Sequence, residues 1–266
     1  MPLLSSLKPT ARKRVGKWAS YLLALVIVVM VANTIDWATF GMQFGNLDVA
    51  AKMWPDILLA AVNTLWYTMV AFAIGTASAI VFAVLKLGGG PFGWFARAFI
   101  ELFRGIPALL TIFACAYMIP IAFKGVRLPG GMVGAGLIGL ILVTTAYTAE
   151  IIRAGIQAVP VGQREAARSL GMTSGQTMFW IILPQGIRIV IPPMTNEFVM
   201  LLKDTSLLFI AGLAMNEKEL TTFARDAMTQ NMNATPLVFA AVLYLIITVP
   251  LTLLVGKLER MAAKKQ

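Results

Sequence analysis

The sequence predicts an all-α membrane protein, a polytopic bundle of about six transmembrane helices. Three observations predict it. Apolar residues make up 59% of the chain and charged residues 13%, where a soluble domain carries about 25% charged residues. Six stretches stay apolar over close to the ~20 residues that a membrane-crossing helix needs. Lys and Arg gather at every second connection, as a chain oriented in a bilayer requires. The net charge of +10 is therefore read as orientation and not as a nucleic-acid surface. The 266 residues leave no room for a large polar domain beside one bundle. There is no histidine, so His-based acid/base or metal chemistry is excluded and no metal site is expected.

The first span runs from Trp18 to Ile35, behind a basic segment. A signal peptide has that layout, with an apolar run from Tyr21 to Ala32. No small-x-small cleavage site follows, so a retained anchor is expected. Residues 1–55 are read as basic tail, extra anchor and outer loop. Residues 56–260 are the main bundle, and residues 261–266 a second basic tail. The second span, Ile57 to Leu85, is long enough to tilt. The third, Phe99 to Phe123, carries Glu101 and Arg104 near its start, so its apolar part begins near Ile106. Pro107 is tolerated in a first helical turn. Cys115 lies within that span and reads as a packed thiol.

The fourth span is Met132 to Ile151. The glycine pair Gly130 and Gly134 predicts close helix approach. At its end Glu150 and Arg153 have the spacing of an i,i+3 ion pair. The fifth span, Ile189 to Leu213, is interrupted by Pro192, Pro193, Asn196, Glu197, Lys203 and Asp204. The sixth is Pro236 to Val255.

Six spans place both termini on one side. That side holds Lys8, Arg12, Lys13, Arg14 and Lys17, then Lys86, Arg97 and Arg104, then Arg153, Arg164, Arg168 and Arg188, and finally Lys257, Arg260, Lys264 and Lys265. The other side holds Lys52, Lys124, Arg127, Lys218 and Arg225. The excess assigns the termini to the cytoplasm.

The connection from Glu165 to Pro184 is too structured for a plain return loop. Gln163 to Leu170 are good helix formers, and Gly171 stands where a left-handed cap is cheapest. Thr173 and Gln176 have capping-box spacing ahead of Met178 to Leu183, and Pro184 is expected to stop that helix. The prediction is helix, glycine turn, helix, with Leu170, Met172, Phe179 and Trp180 free to fill a groove. Two readings stand on these residues: a docking element, or an amphipathic segment lying on headgroups.

Ionised groups in hydrocarbon cost at least ~2.5–3.5 kcal/mol each on insertion scales, so they pair or face water. Glu197 and Lys203 are six residues apart and do not share a helix face. Asn196 and Glu197 are therefore candidates for the translocation path, with Thr205 and Ser206 nearby. The competing reading pairs Glu197 with an arginine of a neighbouring helix. Lys203 and Asp204 are expected to pair with another span.

EAA at Glu165, Ala166 and Ala167, then Gly171 and the ending Ile181-Ile182-Leu183-Pro184, resembles the EAA loop of bacterial ABC importer permeases. Phe103-Arg104-Gly105-Ile106-Pro107 resembles the F-R-G-T-P segment of the polar amino acid subfamily, with Ile106 in place of Thr. Ala146 to Gly155 resembles its A-Y-x-A-E-x-x-R-x-G, and Asn196-Glu197-Phe198 with Leu201 to Leu207 resembles its N-E-F and L-L-K-D-T-S-L. The match runs from about Asn63 to the C-terminus and leaves out the first span.

The resemblance implies a type I importer permease fold in a bacterial cell membrane. It implies that Glu165, Ala166, Ala167 and Gly171, with Leu170, Met172 and Pro184, form a coupling helix for a separate ATPase subunit, present in two copies. It further implies a second permease, same or related, and an extracytoplasmic amino-acid-binding protein, which the acidic outer loop around Glu217, Glu219 and Asp226 would meet. Glutamate, aspartate or glutamine is the expected cargo. Arg104, Glu150 and Arg153 are candidates for gating or for a plain structural cluster. No cofactor is expected in this chain, since no G-x-x-x-x-G-K-[ST] occurs and ATP and Mg would sit on the partner. The runner-up class is an ion-coupled secondary transporter or channel, which Pro192-Pro193 suits as a helix break. A membrane enzyme has no nucleophile-base constellation to support it.

Overall fold

The computed structural model describes residues 9–124, 126 and 128–263. Lys8, Arg127, Lys264 and Lys265, used above for orientation, lie outside the described residues. Helix α1 (Pro9–Thr34) is followed by the short α2 (Trp37–Phe44) and α3 (Leu47–Lys52), then α4 (Asp56–Gly88) and α5 (Gly90–Gly105). Helix α6 (Ala108–Phe113) continues through a π turn into α7 (Ile119–Ala122), and α8 covers Gly131–Gln157. Then come α9 (Val161–Ser169), α10 (Ser174–Gln176), a π segment (Thr177–Ile182) and α11 (Leu183–Asp204). After 3-10 turns at Thr205–Ala211 and Met215–Glu217, α12 (Leu220–Asn231) and α13 (Thr235–Ala263) complete the chain. Among the described residues five helical stretches are long and apolar enough to cross a membrane, or six if the pair α5 with α6–α7, bent by 106°, counts as one broken span.

That bend corrects the third span. It does not run straight from Phe99. Pro107 caps α6 with extended backbone, as a residue that cannot donate an N–H is suited to do. Helix α5 turns off as a separate amphipathic piece. It buries Gly93, Ala96 and Ile100 and exposes Phe92, Trp94 and Phe95.

The bundle is built on α4 against α8. Without a hydrophobic drive between helices in lipid, close backbone approach does the packing. Ala71, Gly75, Ala79 and Ala83 recur at four-residue spacing on α4 and are all buried. A Cβ on Gly75 would sit 2.8 Å from the Thr144 side chain. The glycines opening α8 divide the work differently from the expectation. Gly130 is left-handed and Gly134 lies against the carbonyl of Pro129, so this pair shapes the turn. Helix approach falls to Gly139, whose Cβ would meet the Ile112 backbone at 2.7 Å, and to Gly136 against Leu208. Cys115 is buried and free, as expected of a packed thiol.

The prolines of the fifth span do not break it. Ser174–Ala211 forms one continuous crossing, with Pro192 and Pro193 inside α11. Pro184 does not stop the helix either. A proline removes one N–H and crowds the carbonyl four residues back, and here the preceding turn widens into the π segment that makes room for it. Gln185 Nε2 donates to the Ile181 carbonyl at 2.9 Å, within the turn that precedes the proline.

No residue in the apolar window of α1 is buried, and the Ala32 carbonyl near its end accepts Trp37 Nε1 of α2 at 3.0 Å. The chain after it is pinned to α13: Asn233 Nδ2 donates to the Met42 carbonyl at 2.8 Å and the Asn46 N–H donates to Thr235 Oγ1 at 2.9 Å.

Candidate coupling site and translocation path

Helix α9 is short and held by its ends. At its C-terminus Gly171 has φ +83°. The Met172 N–H bonds the Ala167 carbonyl at 3.2 Å, and the Gly171 N–H bonds the Arg168 carbonyl at 3.0 Å. These two bonds form a Schellman motif. Arg168 adds a third link, donating to the Met172 carbonyl at 2.6 Å. The reversal then starts a new helix: Thr173 Oγ1 accepts the Gln176 N–H at 3.2 Å, and Gln176 Oε1 accepts the Thr173 N–H at 2.8 Å. Ala167 is buried, while Glu165, Ala166 and Leu170 are exposed and Met172 is half-buried. Leu170 is 84% exposed and Phe179 and Trp180 stand free beyond it. An apolar side chain so exposed on a rigid turn is a surface that another body can cover.

Beside this loop, three helices meet on one carboxylate. Glu150 on α8 receives Lys86 Nζ from the last turn of α4 at 3.1 Å. Arg153 binds it through Nε at 3.0 Å and through Nη2. Arg104, at the end of α5, stands 3.9 Å away, with its guanidinium 5.6 Å from the centre of the Tyr147 ring. Arg153 also donates to Gln157. The expected Glu150–Arg153 pair is therefore the centre of a larger knot. The sequence shows Lys86 only as an orienting charge, because nothing in the chain links residues 86 and 150 before the helices pack.

The polar residues of α11 form an exposed stripe. Asn196 and Lys203 are exposed, and Glu197, Asp204 and Ser206 are half-buried. Asn196 Nδ2 contacts Met200 Sδ at 3.6 Å. Among the described residues no ion pair includes Glu197, Lys203 or Asp204. The expectation that Lys203 and Asp204 pair with another span is therefore not met within this chain, where Lys203 is exposed and Asp204 half-buried. The reading of Glu197 paired with an arginine is also without support. Thr205 leaves the path set, since it is fully buried and its hydroxyl donates to the Leu202 carbonyl at 2.7 Å.

The far end of the bundle holds a second knot. Glu219 is fully buried and caps α12, accepting the Thr221 and Thr222 N–H groups at 2.6 and 2.7 Å and the Thr222 hydroxyl. Burial pushes its carboxyl above the ordinary glutamate value, against the pull of those bonds. Helix α4 holds the approach to α12: Asn63 Nδ2 donates to the carbonyls of Asn216 and Lys218, both at 3.0 Å, and Tyr67 Oη to that of Glu217 at 2.9 Å. The Leu220 N–H bonds Thr64 Oγ1 at 3.1 Å. Glu219 is thus a structural cap and cannot meet a partner. Asp226 is also engaged, with Lys218 at 2.9 Å and Arg225 at 3.0 Å.

Comparison with known proteins agrees with this geometry. Residues 75–264 match the family described as binding-protein-dependent transport system inner membrane component. The probable glutamine ABC transporter permease protein GlnM of Bacillus subtilis is 39% identical over 224 residues, covering 83% of this chain and 96% of that protein. The glutamate/aspartate import permease protein GltK of Escherichia coli is 34% identical over 220 residues, covering 79% and 94%. A solved amino acid ABC transporter, crystallised with histidines, superposes with a TM-score of 0.73 at 34% identity, covering 80% of this chain and 96% of that one. The chain belongs to the family of inner membrane components of binding-protein-dependent transport systems.

Proposed function

We propose that this chain is the membrane-spanning permease of an ABC importer for a polar amino acid, with glutamate, aspartate or glutamine as cargo. The observation that carries the reading is the α9 turn: a short helix, rigidly capped at Gly171, that presents Glu165, Ala166 and Leu170 to the outside. Two ATPase subunits dock there, on the cytoplasmic side with both termini. ATP closure moves α9, and the Glu150 knot passes the movement to α4, α5 and α8. A second permease, same or related, faces the stripe of Asn196, Glu197, Lys203, Asp204 and Ser206, which then lines the path. A binding protein delivers cargo at the end that carries α12. Desolvated charges on α11 favour this arrangement, because lipid cannot solvate them. The secondary-transporter alternative loses its one support, since Pro192-Pro193 leave α11 unbroken.

The test is gentle-detergent affinity purification from native membranes, with every co-purifying protein identified. A stoichiometric ABC ATPase, lost in Gly171→Asp, is the expected result. A chain that comes out alone and transports in vesicles without ATP would refute the importer.

A further inference from the structure

A cleft of about 420 Å³ opens at the root of α9, on the side facing the bundle. Its polar wall is Gln157, Arg164, Arg168, Ser174 and Thr177, and no carboxylate lines it. Arg164 and Arg168 are one helical turn apart, so their guanidiniums share a face. Neither has an acidic partner within 4.0 Å among the described residues. Arg168 spends one N–H on the Met172 carbonyl, which leaves most of its five donors. Gln157 already accepts from Arg153. Thr177 is only 2% exposed, and its hydroxyl has no hydrogen-bond partner. Both arginines are exposed at the mouth of the cleft, so their free guanidinium donors can meet an anion that enters it, above the closed-off Thr177 hydroxyl.

We propose that this cleft binds a phosphate group, with Arg164 and Arg168 as its cationic ligands and Ser174 as a hydroxyl donor. The oxygens of a phosphate are set tetrahedrally, so two guanidiniums and a hydroxyl can reach it from different sides, whereas those of a carboxylate lie in one plane. Guanidinium geometry matches it through paired N–H bonds. The opposite wall is apolar, from Leu87, Ile156 and Ile182, where α4, α8 and the π segment end. A phospholipid headgroup would use both walls; a soluble phosphate would use the basic one alone. A phosphate held there ties α9 to the ends of three membrane helices and so stiffens the coupling turn. That consequence rests on α9 being the ATPase dock; the binding does not.

The experiment is native mass spectrometry of the full chain in detergent, without ATPase, titrated with phosphatidylglycerol, phosphatidylcholine or inorganic phosphate. The expected result is one anionic adduct per chain, about tenfold weaker when Arg164→Gln and Arg168→Gln are combined. Arg97→Gln on α5 leaves it unchanged. Lysine at both positions gives an intermediate affinity, because charge stays and the paired fork is lost, and it controls for misfolding. Phosphatidylglycerol binding that inorganic phosphate does not displace assigns a lipid headgroup. Binding of inorganic phosphate alone, with displacement, assigns a soluble phosphate. Equal retention in wild type and the double glutamine variant, or no retention of any probe, overturns the site.

Discussion

At the end of the bundle that carries α9, Glu150 is held by charge; at the end that carries α12, Glu219 is held by neutral donors. Glu150 keeps 21% of its side chain exposed and has three cations around it, from α4, α5 and α8. Any one can withdraw while the others still neutralise the carboxylate. Glu219 has no cation, and each of its bonds comes from a fixed backbone or hydroxyl direction. The first arrangement tolerates helix ends sliding past each other. The second fixes α12 to α4 as one body. An alternating-access protein needs both, a firm end and an end that repacks when a partner pushes.

The largest effect is expected at the firm end. Glu219→Ala strands the Thr221 and Thr222 N–H groups and the Thr222 and Tyr244 hydroxyls in a buried place and removes a helix cap, at a cost of about 2–3 kcal/mol. The melting temperature of the purified chain should fall clearly, with Glu219→Gln recovering part of the loss through its remaining carbonyl. An unchanged melting temperature would mean that α4 alone holds α12, and the contrast between the ends would fail.

Glu150→Gln should cost less, about 1–2 kcal/mol, between the worth of a surface pair and that of a buried one. It leaves Lys86, Arg104 and Arg153 repelling one another, so added salt should restore stability. Lys86→Met alone should cost less again, because Arg153 still holds the carboxylate. A loss with Lys86→Met equal to that with Glu150→Gln would show that the cations are not interchangeable.

Gly171→Ala sharpens the comparison at the end that carries α9. No atom lies within 4 Å of a Cβ added there, so the cost is the left-handed backbone alone, about 1 kcal/mol. Asn, which tolerates that conformation, should cost less. The measurement is the amount of ATPase co-purified per chain. Loss with Ala and retention with Asn would tie docking to the turn itself.

The two ends also differed in how far the sequence disclosed them. The α9 turn was legible residue by residue, because Gly171, Thr173 and Gln176 act on backbone groups within a few positions. Glu150–Arg153 was legible for the same reason. Lys86, the α4 stripe from Ala71 to Ala83 and the bonds of Asn63, Thr64 and Tyr67 were not, since each partner lies tens of residues away. The prolines misled in the other direction. Pro184 read as a stop and Pro192 and Pro193 as interruptions, but the chain continues from a π segment into α11 with all three inside it. The stripe on α11 was legible as charge and not as geometry: Thr205 belongs to the run L-L-K-D-T-S-L, yet its side chain points into the core.

The smallest effect is expected at Thr173. Its hydroxyl accepts one N–H, and Gln176 returns the bond to its backbone. Thr173→Ala removes half of that box and should cost about 0.5–1 kcal/mol, in an exposed place where water replaces the lost acceptor. Global melting should therefore hardly move. Hydrogen exchange should instead quicken at Ser174 to Thr177, while Glu165 to Leu170, held by the separate Gly171 cap, keep their protection. Faster exchange across both helices would mean that the turn and the box form one cooperative unit, which would make the coupling end stiffer than its exposure implies and bring it closer in kind to the Glu219 end.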